Sequence, residues 1–311
     1  MPYQKNPEFC PICKHGKKFE FIRDIKKGSS EFSLYQCSEC SVQFWLPLKI
    51  PGLSWHEKNN FRIKNIIKPE ICRGYHKRFL KIHKIFPKGT KVLDLGCAAG
   101  EFIFELQKRG CEVWGADFDK EDIRIAKEYF GLKNVFALSF KDFFKMQNLP
   151  KFDIVCLFAV IGYIDDPLEF MGQVKKILKP GGIIVINAPS RERMLADLNH
   201  WDFPPHYFTR WNKESFSNLF EKHNFKISFI TYTEEFKTLQ EAVIGRFKTG
   251  LAGRAAASGN KRKSGAYLKI IYFLGCFKDY IIGTIPAGFL WIIGKIFRYN
   301  NGEILIELKY E

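Results

Sequence analysis

Long apolar runs are scarce in this 311-residue sequence. The uncharged run from Tyr280 to Gly294 is 15 residues long and contains Pro286. A helix that spans a membrane needs about 20 apolar residues. The amino-terminal stretch MPYQKNPEFC has no apolar core of the signal-peptide kind. These absences argue against a transmembrane segment and predict a cytoplasmic protein.

Acidic residues are scarce relative to basic ones. The chain has 49 Lys and Arg against 33 Asp and Glu, which gives a formal net charge of +16. Such a charge suits a polyanion, either nucleic acid or an anionic membrane surface. It is also compatible with solvated lysines over the whole surface, because basic residues are spread through most of the chain. The charge alone selects no function.

The middle of the chain alternates short apolar runs with amphipathic stretches. Candidate strands lie at 91–95, 112–117, 134–138, 152–158 and 182–188, and helical patterns lie at about 100–109, 119–130 and 166–178. The last helix is expected to stop at KPGG, because Pro180 and two glycines cannot continue it. Apolar strands separated by helices indicate an α/β fold with a parallel sheet covered on both faces.

Two C-x2-C pairs stand near the amino terminus. CPIC contains Cys10 and Cys13, and CSEC contains Cys37 and Cys40. Each pair can place two thiolates on one turn, and two such turns complete a tetrahedral four-sulfur site of the kind that Zn²⁺ prefers. A redox dithiol or two disulfides are the competing interpretations, and both are weaker without a thioredoxin-like context or a secretory signal. A site with four protein ligands is closed, so we expect a structural role.

The stretch VLDLGCAAG follows the first strand and opens a helix. A dinucleotide fingerprint would place glycines at 96, 98 and 101, but the chain has Gly96, Ala98 and Glu101. The Gly-Lys-Ser/Thr ending of a P-loop is missing as well. Neither pyrophosphate-binding device therefore fits this turn.

The same residues resemble the first motif of class I S-adenosylmethionine-dependent methyltransferases. That motif has a hydrophobic residue and an acid before Gly-x-Gly-x-Gly, with Asp94, Gly96 and Gly100 in register and Ala98 as a departure. FDIV and LKPGGIIVINAP resemble later parts of the same family. The resemblance covers about half of the chain. It implies a Rossmann-like seven-stranded sheet and S-adenosylmethionine as the cofactor.

The resemblance also assigns cofactor-binding roles. Asp94 would help to position the cationic amino acid end of the cofactor, and Asp117 at the end of the second strand would take both ribose hydroxyls. Phe118 would pack on the adenine. The full set of implied cofactor-binding residues is Asp94, Gly96, Cys97, Ala98, Gly100, Asp117, Phe118, Ser139, Phe140 and Phe158.

The segment after the fifth strand is expected to lie over the pocket, because ligands in open α/β sheets bind beyond the carboxyl ends of the strands. WDFPPHYFTRW resembles a lid in a bacterial methyltransferase-domain subgroup, with Tyr207 at the position of a second histidine. His206 is the candidate general base, since neutral imidazole suits proton removal near neutral pH. Tyr207 is the second candidate catalytic residue. The alternative for His206 is a helix cap or a partner of buried backbone groups.

The resemblance places the sixth strand at 225–233 and the seventh at 303–311, so that a long insertion separates them. It contains Lys261, Arg262 and Lys263 before an apolar stretch. An interfacial helix pair at 261–298 that meets anionic lipid is one interpretation, and a cap over the substrate pocket or a dimer contact is the other. The predicted organisation is a zinc-ribbon-like module at 1–50, a helical linker or cap at 51–88, the cofactor-binding core at 89–235, a hydrophobic and basic helical insertion at 236–301 and the final strand of the core sheet at 302–311.

The leading hypothesis is a methyltransferase that acts on a small-molecule or lipid-linked acceptor, such as a sugar of a glycan, with structural Zn²⁺. The alternative is an rRNA or tRNA methyltransferase whose zinc module and basic surface grip phosphates. A third class is a cofactor-binding protein without catalysis, in which the cysteine module docks a protein.

Overall fold

The computed structural model describes residues 7–27, 29–48, 74–193, 202–232, 288–289, 292 and 302–310. The strands are β1 (Phe19–Lys27), β2 (Ser30–Cys37), β3 (Gln43–Leu46), β4 (Lys91–Leu95), β5 (Glu112–Asp117), β6 (Val135–Ala137), β7 (Phe152–Phe158), β8 (Leu178–Pro189), β9 (Thr209–Arg210), β10 (Phe225–Tyr232) and β11 (Glu303–Tyr310). The helices are α1 (Gly74–Ile82), α2 (Glu101–Lys108), α3 (Lys120–Glu128), α4 (Phe140–Phe143), α5 (Pro167–Ile177) and α6 (Lys213–Phe220).

Seven strands form the main sheet, in the order β10-β11-β8-β7-β4-β5-β6. The strands from β8 to β6 are parallel, and β11 pairs antiparallel with both β8 and β10. This is the α/β Rossmann-like methyltransferase fold that the sequence predicts, with the antiparallel pair at one edge. β8 begins at Leu178, earlier than the predicted strand, because Leu178 already pairs with Phe152 ahead of a register shift.

The helices bury apolar stripes on the two faces of this sheet. In α5, Asp166 caps the first turn by accepting a hydrogen bond from the Glu169 amide, and Pro167 occupies the first helical position. Phe170, Met171 and Val174 form the buried face of the helix. The helix ends at Ile177, ahead of KPGG, as the sequence predicts.

The amino-terminal region forms a second sheet of four strands, in the order β1-β2-β3-β9. The sequence analysis assigned no strands to this region. Three of them follow one another in residues 19–46, while β9 comes from the segment after β8 and pairs antiparallel with β3. The buried side chains of Val42 and Phe44 belong to the same apolar cluster as Trp211 and Phe216 of the main domain. The two sheets therefore share a core.

Several predictions from the sequence fall on residues that the structure does not describe. They include most of the linker at 51–88 and nearly all of the insertion at 236–301, with its basic residues at 261–263. Among the described helices, none combines the length and the apolar character needed to cross a membrane.

Candidate functional site

The turn between β4 and α2 owes its shape to three residues with positive φ. They are Gly96 at 83°, Ala98 at 49° and Gly100 at 82°. A Cβ on Gly96 would lie 2.5 Å from Cγ2 of Val160, and one on Gly100 would lie 2.5 Å from Cδ1 of Leu132. Both outer glycines are thus required for steric as well as conformational reasons. Ala98 adopts the left-handed conformation with the smallest side chain that carries a Cβ.

Asp117 joins this turn to the end of β5 through hydrogen bonds. Its Oδ2 accepts a hydrogen bond from the Ala98 amide at 2.9 Å, and its Oδ1 accepts one from the Asp119 amide at 3.0 Å. The amides of Gly96 and Cys97 both donate to the carbonyl oxygen of Ala116. These hydrogen bonds place the Asp117 carboxylate beside the turn, at the carboxyl end of β5.

Asp94 lies at the carboxyl end of β4 with 2% of its surface exposed. Its Oδ1 has no hydrogen-bond partner among the described residues. Burial raises the pKa of Asp94 well above its ordinary value, and the nearby charges of Asp117 and Glu101 add to that rise. Three buried carboxyl groups beside one turn favour a cationic ligand, because a positive charge would offset their desolvation and mutual repulsion.

The Cys97 thiol packs beneath the turn. A Cβ on Gly115 of β5 would lie 2.7 Å from Cys97 Sγ and 2.9 Å from Cδ1 of Ile103. Gly115 therefore makes room for the thiol and for the close approach of α2. Burial raises the pKa of Cys97 well above its ordinary value, so the thiol stays neutral. Gly115 could not be predicted from the sequence, because its role depends on the Cys97 and Ile103 side chains that pack against it in the fold.

Three further candidate cofactor contacts lie in two segments of the main domain. Phe140 lies beside the turn, with Cζ 4.0 Å from the position of a Gly96 Cβ. Phe118 is half-buried directly after Asp117. Ser139 caps α4, where its Oγ accepts from the Asp142 amide and donates to Asp142 Oδ2 at 2.6 Å.

Phe158 belongs to a buried aromatic cluster at the end of β7. Its ring centroid lies 4.9 Å from that of Phe102 and 4.8 Å from that of His76. His76 of α1 stacks on Phe102 at 4.6 Å. The sequence predicted Phe158 as a cofactor contact but gave no role to His76. Both side chains pack against Phe102 at the start of α2.

A cavity lies beyond the carboxyl ends of β7 and β8. Its lining comes from the β7 loop, the end of β8 and the segment around β9, and consists of Ala159, Ile161, Gly162, Asn187, Ala188, Pro189, Arg191, Asp202, Tyr207, Thr209, Arg210 and Trp211. Ala159 has a φ of 58°, an uncommon conformation for a residue other than glycine. The β7 loop also carries Val160, which packs against the cofactor turn. One short loop thus separates the turn from the cavity.

Tyr207 enters this lining by packing on Gly162. A Cβ on Gly162 would lie only 2.1 Å from Cδ1 of Tyr207, so no larger residue fits there. The rings of Tyr207 and Tyr163 have their centroids 4.9 Å apart. His206 is half-buried, its amide donates to the Phe203 carbonyl, and it is not among the described residues that line the cavity. The two candidate catalytic residues are therefore placed differently.

A buried ion pair joins Arg193, shortly after β8, to Asp202. Nη2 of Arg193 donates to Asp202, and both side chains are 4% exposed. Nη1 of Arg193 donates to the Ser190 carbonyl at 2.9 Å. Since the pair lies inside the protein, loss of either partner would leave a buried charge.

The four amino-terminal cysteines converge on one point. Their Sγ atoms all lie within 4.8 Å of one another, with 3.9 Å between Cys10 and Cys40 and 3.8 Å between Cys13 and Cys37. A tetrahedral zinc site with Zn–S bonds of about 2.3 Å has sulfur atoms about 3.8 Å apart. These spacings fit a shared metal ion and are too long for disulfide bonds.

The backbone around the cysteines also favours thiolates. The Ile12 and Gly16 amides point at the first pair of sulfur atoms, and the Glu39 amide points at Cys37, each at 3.4 Å. Hydrogen bonds among the four sulfur atoms lower the pKa of Cys13 and Cys37 and raise the pKa of Cys10 and Cys40. A Cβ on Gly16 would lie 2.4 Å from Cys37 Sγ. The donor set and its surroundings thus fit Zn²⁺.

The fold and the turn define an S-adenosylmethionine-dependent methyltransferase domain of class I. The family model described as a methyltransferase domain matches residues 65–228, more than half of the chain. The chain belongs to this family.

Several known proteins are similar to part of this chain. A mitochondrial ubiquinone biosynthesis O-methyltransferase of Dictyostelium discoideum is 31% identical over 146 residues, 42% of this chain and 45% of the relative. The enzyme of that name from Psychrobacter cryohalolentis is 28% identical over 147 residues, 44% of this chain and 55% of the relative. A solved S-adenosylmethionine-dependent methyltransferase from Archaeoglobus fulgidus is 19% identical, with 83% of this chain and 100% of that chain aligned at a TM-score of 0.48. This chain thus spans about half the length of the two curated relatives.

Proposed function

We propose that the protein transfers the methyl group of S-adenosylmethionine to a small-molecule acceptor, free or lipid-linked. The observation that carries the proposal is the cofactor turn, where the buried Oδ1 of Asp94 has no hydrogen-bond partner among the described residues. S-adenosylmethionine supplies an electrophilic methyl group on a sulfonium ion and also carries an ammonium group. Its positive charges complement the buried carboxyl groups beside the turn.

The chain's own residues would bind and orient this cofactor. Asp117 would accept hydrogen bonds from the ribose hydroxyls, because it lies at the carboxyl end of β5 and contacts the turn through the Ala98 amide. Gly96 and Ala98 would allow close backbone approach. Phe118 and Phe140 would flank the adenine. Alignment of the acceptor with the methyl group would supply much of the rate, because the methyl sulfonium is already reactive.

The cavity beside the β7 loop would mark the acceptor site. Its enclosed space holds about one water molecule in this structure, so the side chains that line it would have to move apart when an acceptor binds. Tyr207 is the side chain from the segment after β8 that would touch it. His206 stays a proposed general base, next in the chain to Tyr207, which lines the cavity. Relatives named ubiquinone biosynthesis O-methyltransferases support an oxygen acceptor on a small molecule.

The four cysteines would hold one structural Zn²⁺ ion, which would stabilise the amino-terminal sheet. The sulfur spacings and the amides aimed at the sulfurs support this proposal. Elemental analysis of the purified protein is expected to find one zinc per chain. A Cys13→Ser/Cys37→Ser variant that retains a full zinc content would contradict it.

The activity test supplies methyl-labelled S-adenosylmethionine to a fractionated cell extract. Label is expected in a small-molecule or organic-solvent fraction, with loss of transfer in Tyr207→Ala and, if His206 is the base, in His206→Ala. Label that ribonuclease releases would instead support the RNA alternative. Failure of every fraction to accept label would overturn the proposed activity.

A further inference from the structure

The residue after the last cysteine connects the amino-terminal sheet with the main domain. Ser41 is buried, with a φ of 58°, and its amide donates to the Cys37 carbonyl. Its own carbonyl accepts a hydrogen bond from Nη1 of Arg191. Its Oγ donates to Glu214 Oε1 at 2.9 Å and accepts from Asn218 Nδ2 at 3.1 Å. One residue of a cysteine turn thus contacts three side chains of the main domain.

The β3 strand makes a second connection. The residue pairs Gln43–Arg210 and Phe44–Thr209 lie opposite each other in the β3–β9 ladder. The Trp45 amide donates to the Phe208 carbonyl at 2.9 Å, and Nη1 of Arg210 donates to Gln43 Oε1 at 3.3 Å. The segment at 208–210 therefore takes its conformation from the amino-terminal sheet.

These contacts end at the cavity and not at the cofactor turn. Arg191, Thr209 and Arg210 all line the cavity. The described contacts that shape the cofactor turn include those from Ala116, Asp117, Leu132 and Val160, all of which belong to the main domain. Disturbance of the amino-terminal sheet should reach the cavity first.

We propose that the cysteine module, which comprises the two cysteine turns and strands β1 to β3, is part of the acceptor site. Ser41 and Gln43 are positioning residues that hold Arg191 and Arg210 at the cavity. Metal at the four cysteines is therefore required for acceptor binding but not for cofactor binding. Removal of the ion would leave four buried thiols within 4.8 Å of one another with no metal between them. We therefore expect metal loss to loosen the cysteine turns, and with them Ser41 and β3. The inference rests on the proposed function for the meaning of the cavity, and the contacts themselves do not depend on it.

Hydrogen exchange on the full chain, before and after treatment with a zinc chelator, tests the coupling without a known acceptor. Exchange at 43–46 and 208–211 is expected to rise by roughly tenfold or more, while 91–100 stays protected. Calorimetry with S-adenosylmethionine, run on both samples, should give the same affinity. Unchanged exchange at 208–211 overturns the inference. Loss of protection at 91–100 together with loss of cofactor binding overturns it too, because the whole domain would then depend on the metal.

A milder pair of variants keeps the cysteines intact. Ser41→Ala removes the bonds to Glu214 and Asn218, whereas the matched control Ser38→Ala removes a hydroxyl that bonds within the module, to the Lys18 carbonyl. Both should retain full zinc. With the extract fraction that accepts methyl label, Ser41→Ala should raise the half-saturating amount of that fraction about tenfold, with kcat and the KM for S-adenosylmethionine unchanged.

Equal half-saturation of Ser41→Ala and Ser38→Ala overturns the positioning role. A fall in kcat alone overturns it as well. If the wild-type protein binds no S-adenosylmethionine, the proposed function fails, and the exchange experiment still decides whether metal and cavity are coupled.

Discussion

At the scale of single residues, Gly162 has the least room of the glycines near the cavity. Its hydrogen points at the Tyr207 ring, and a Cβ there would lie 2.1 Å from Cδ1. We expect Gly162→Ala to lower the free energy of unfolding by about 1–3 kcal/mol, since the ring must move. Gly172 in α5 has nothing within 4 Å of such a Cβ, so Gly172→Ala should instead raise it by about 0.5–1 kcal/mol. Urea unfolding of both variants checks the pair, and equal effects would contradict the contact.

Asp94 combines a functional role with a cost to stability. Its pKa in the folded protein is raised by burial and by neighbouring carboxyl groups. The folded state therefore holds a proton that the unfolded state releases, and Asp94 lowers stability as the pH rises above the ordinary carboxyl range. Asp94→Asn should stabilise the protein without cofactor at pH 7.5, by a margin that shrinks toward pH 4.

The same variant should bind S-adenosylmethionine at least about tenfold more weakly, because a charge-assisted interaction is lost. Urea unfolding at several pH values and calorimetry measure the two effects. A variant that is less stable at neutral pH, with affinity intact, would contradict this account of Asp94.

Sequence motifs located the cofactor turn because its residues are close together in the chain. Asp94, Gly96 and Gly100 lie within one strand and one turn, and Asp117 follows one βα unit later. Gly115, Gly162 and Ser41 carried no such signal. Their roles depend on side chains that approach from distant parts of the chain, and single-sequence patterns do not report those contacts.

At the scale of elements, α6 depends on its first turn. Asn212 Oδ1 accepts from the Ser215 amide, and Ser215 Oγ accepts from the Asn212 amide, which completes a capping box. Asn212→Ala should lower the free energy of unfolding by about 1–2 kcal/mol. Lys213→Ala, one residue on and exposed, should change it by less than about 0.5 kcal/mol. Thermal unfolding of the two variants checks the cap, and a neutral Asn212→Ala would contradict it.

Five strands of the main sheet could be predicted from the sequence because each is a local run of apolar residues. The other two, β10 and β11, could be predicted from the resemblance to the methyltransferase family. The second sheet could not. Its strands carry mixed polar and apolar residues, and β9 is two residues long and exists through its pairing with β3. Tertiary pairing, rather than local propensity, forms that strand.

At the scale of the whole molecule, the two sheets form one structure with a shared apolar cluster. A Lys14–Asp166 ion pair of 3.0 Å adds a link between the first cysteine turn and the start of α5. Removal of bound zinc is expected to lower the midpoint of thermal unfolding, since an ion that binds only the folded state stabilises it. Calorimetric scans with and without chelator measure this shift. An unchanged midpoint in a protein shown to have lost its zinc would contradict the structural role.

The central claim is that the Gly96–Gly100 turn binds S-adenosylmethionine. Titration calorimetry of the cofactor into the purified wild-type chain tests it, with Asp117→Ala as the site variant and the exposed Asp165→Asn as the matched carboxylate control. We expect one binding site per chain in the wild type and in Asp165→Asn, with binding lost in Asp117→Ala. Absence of binding to the wild type, or equal binding by all three proteins, would contradict the account.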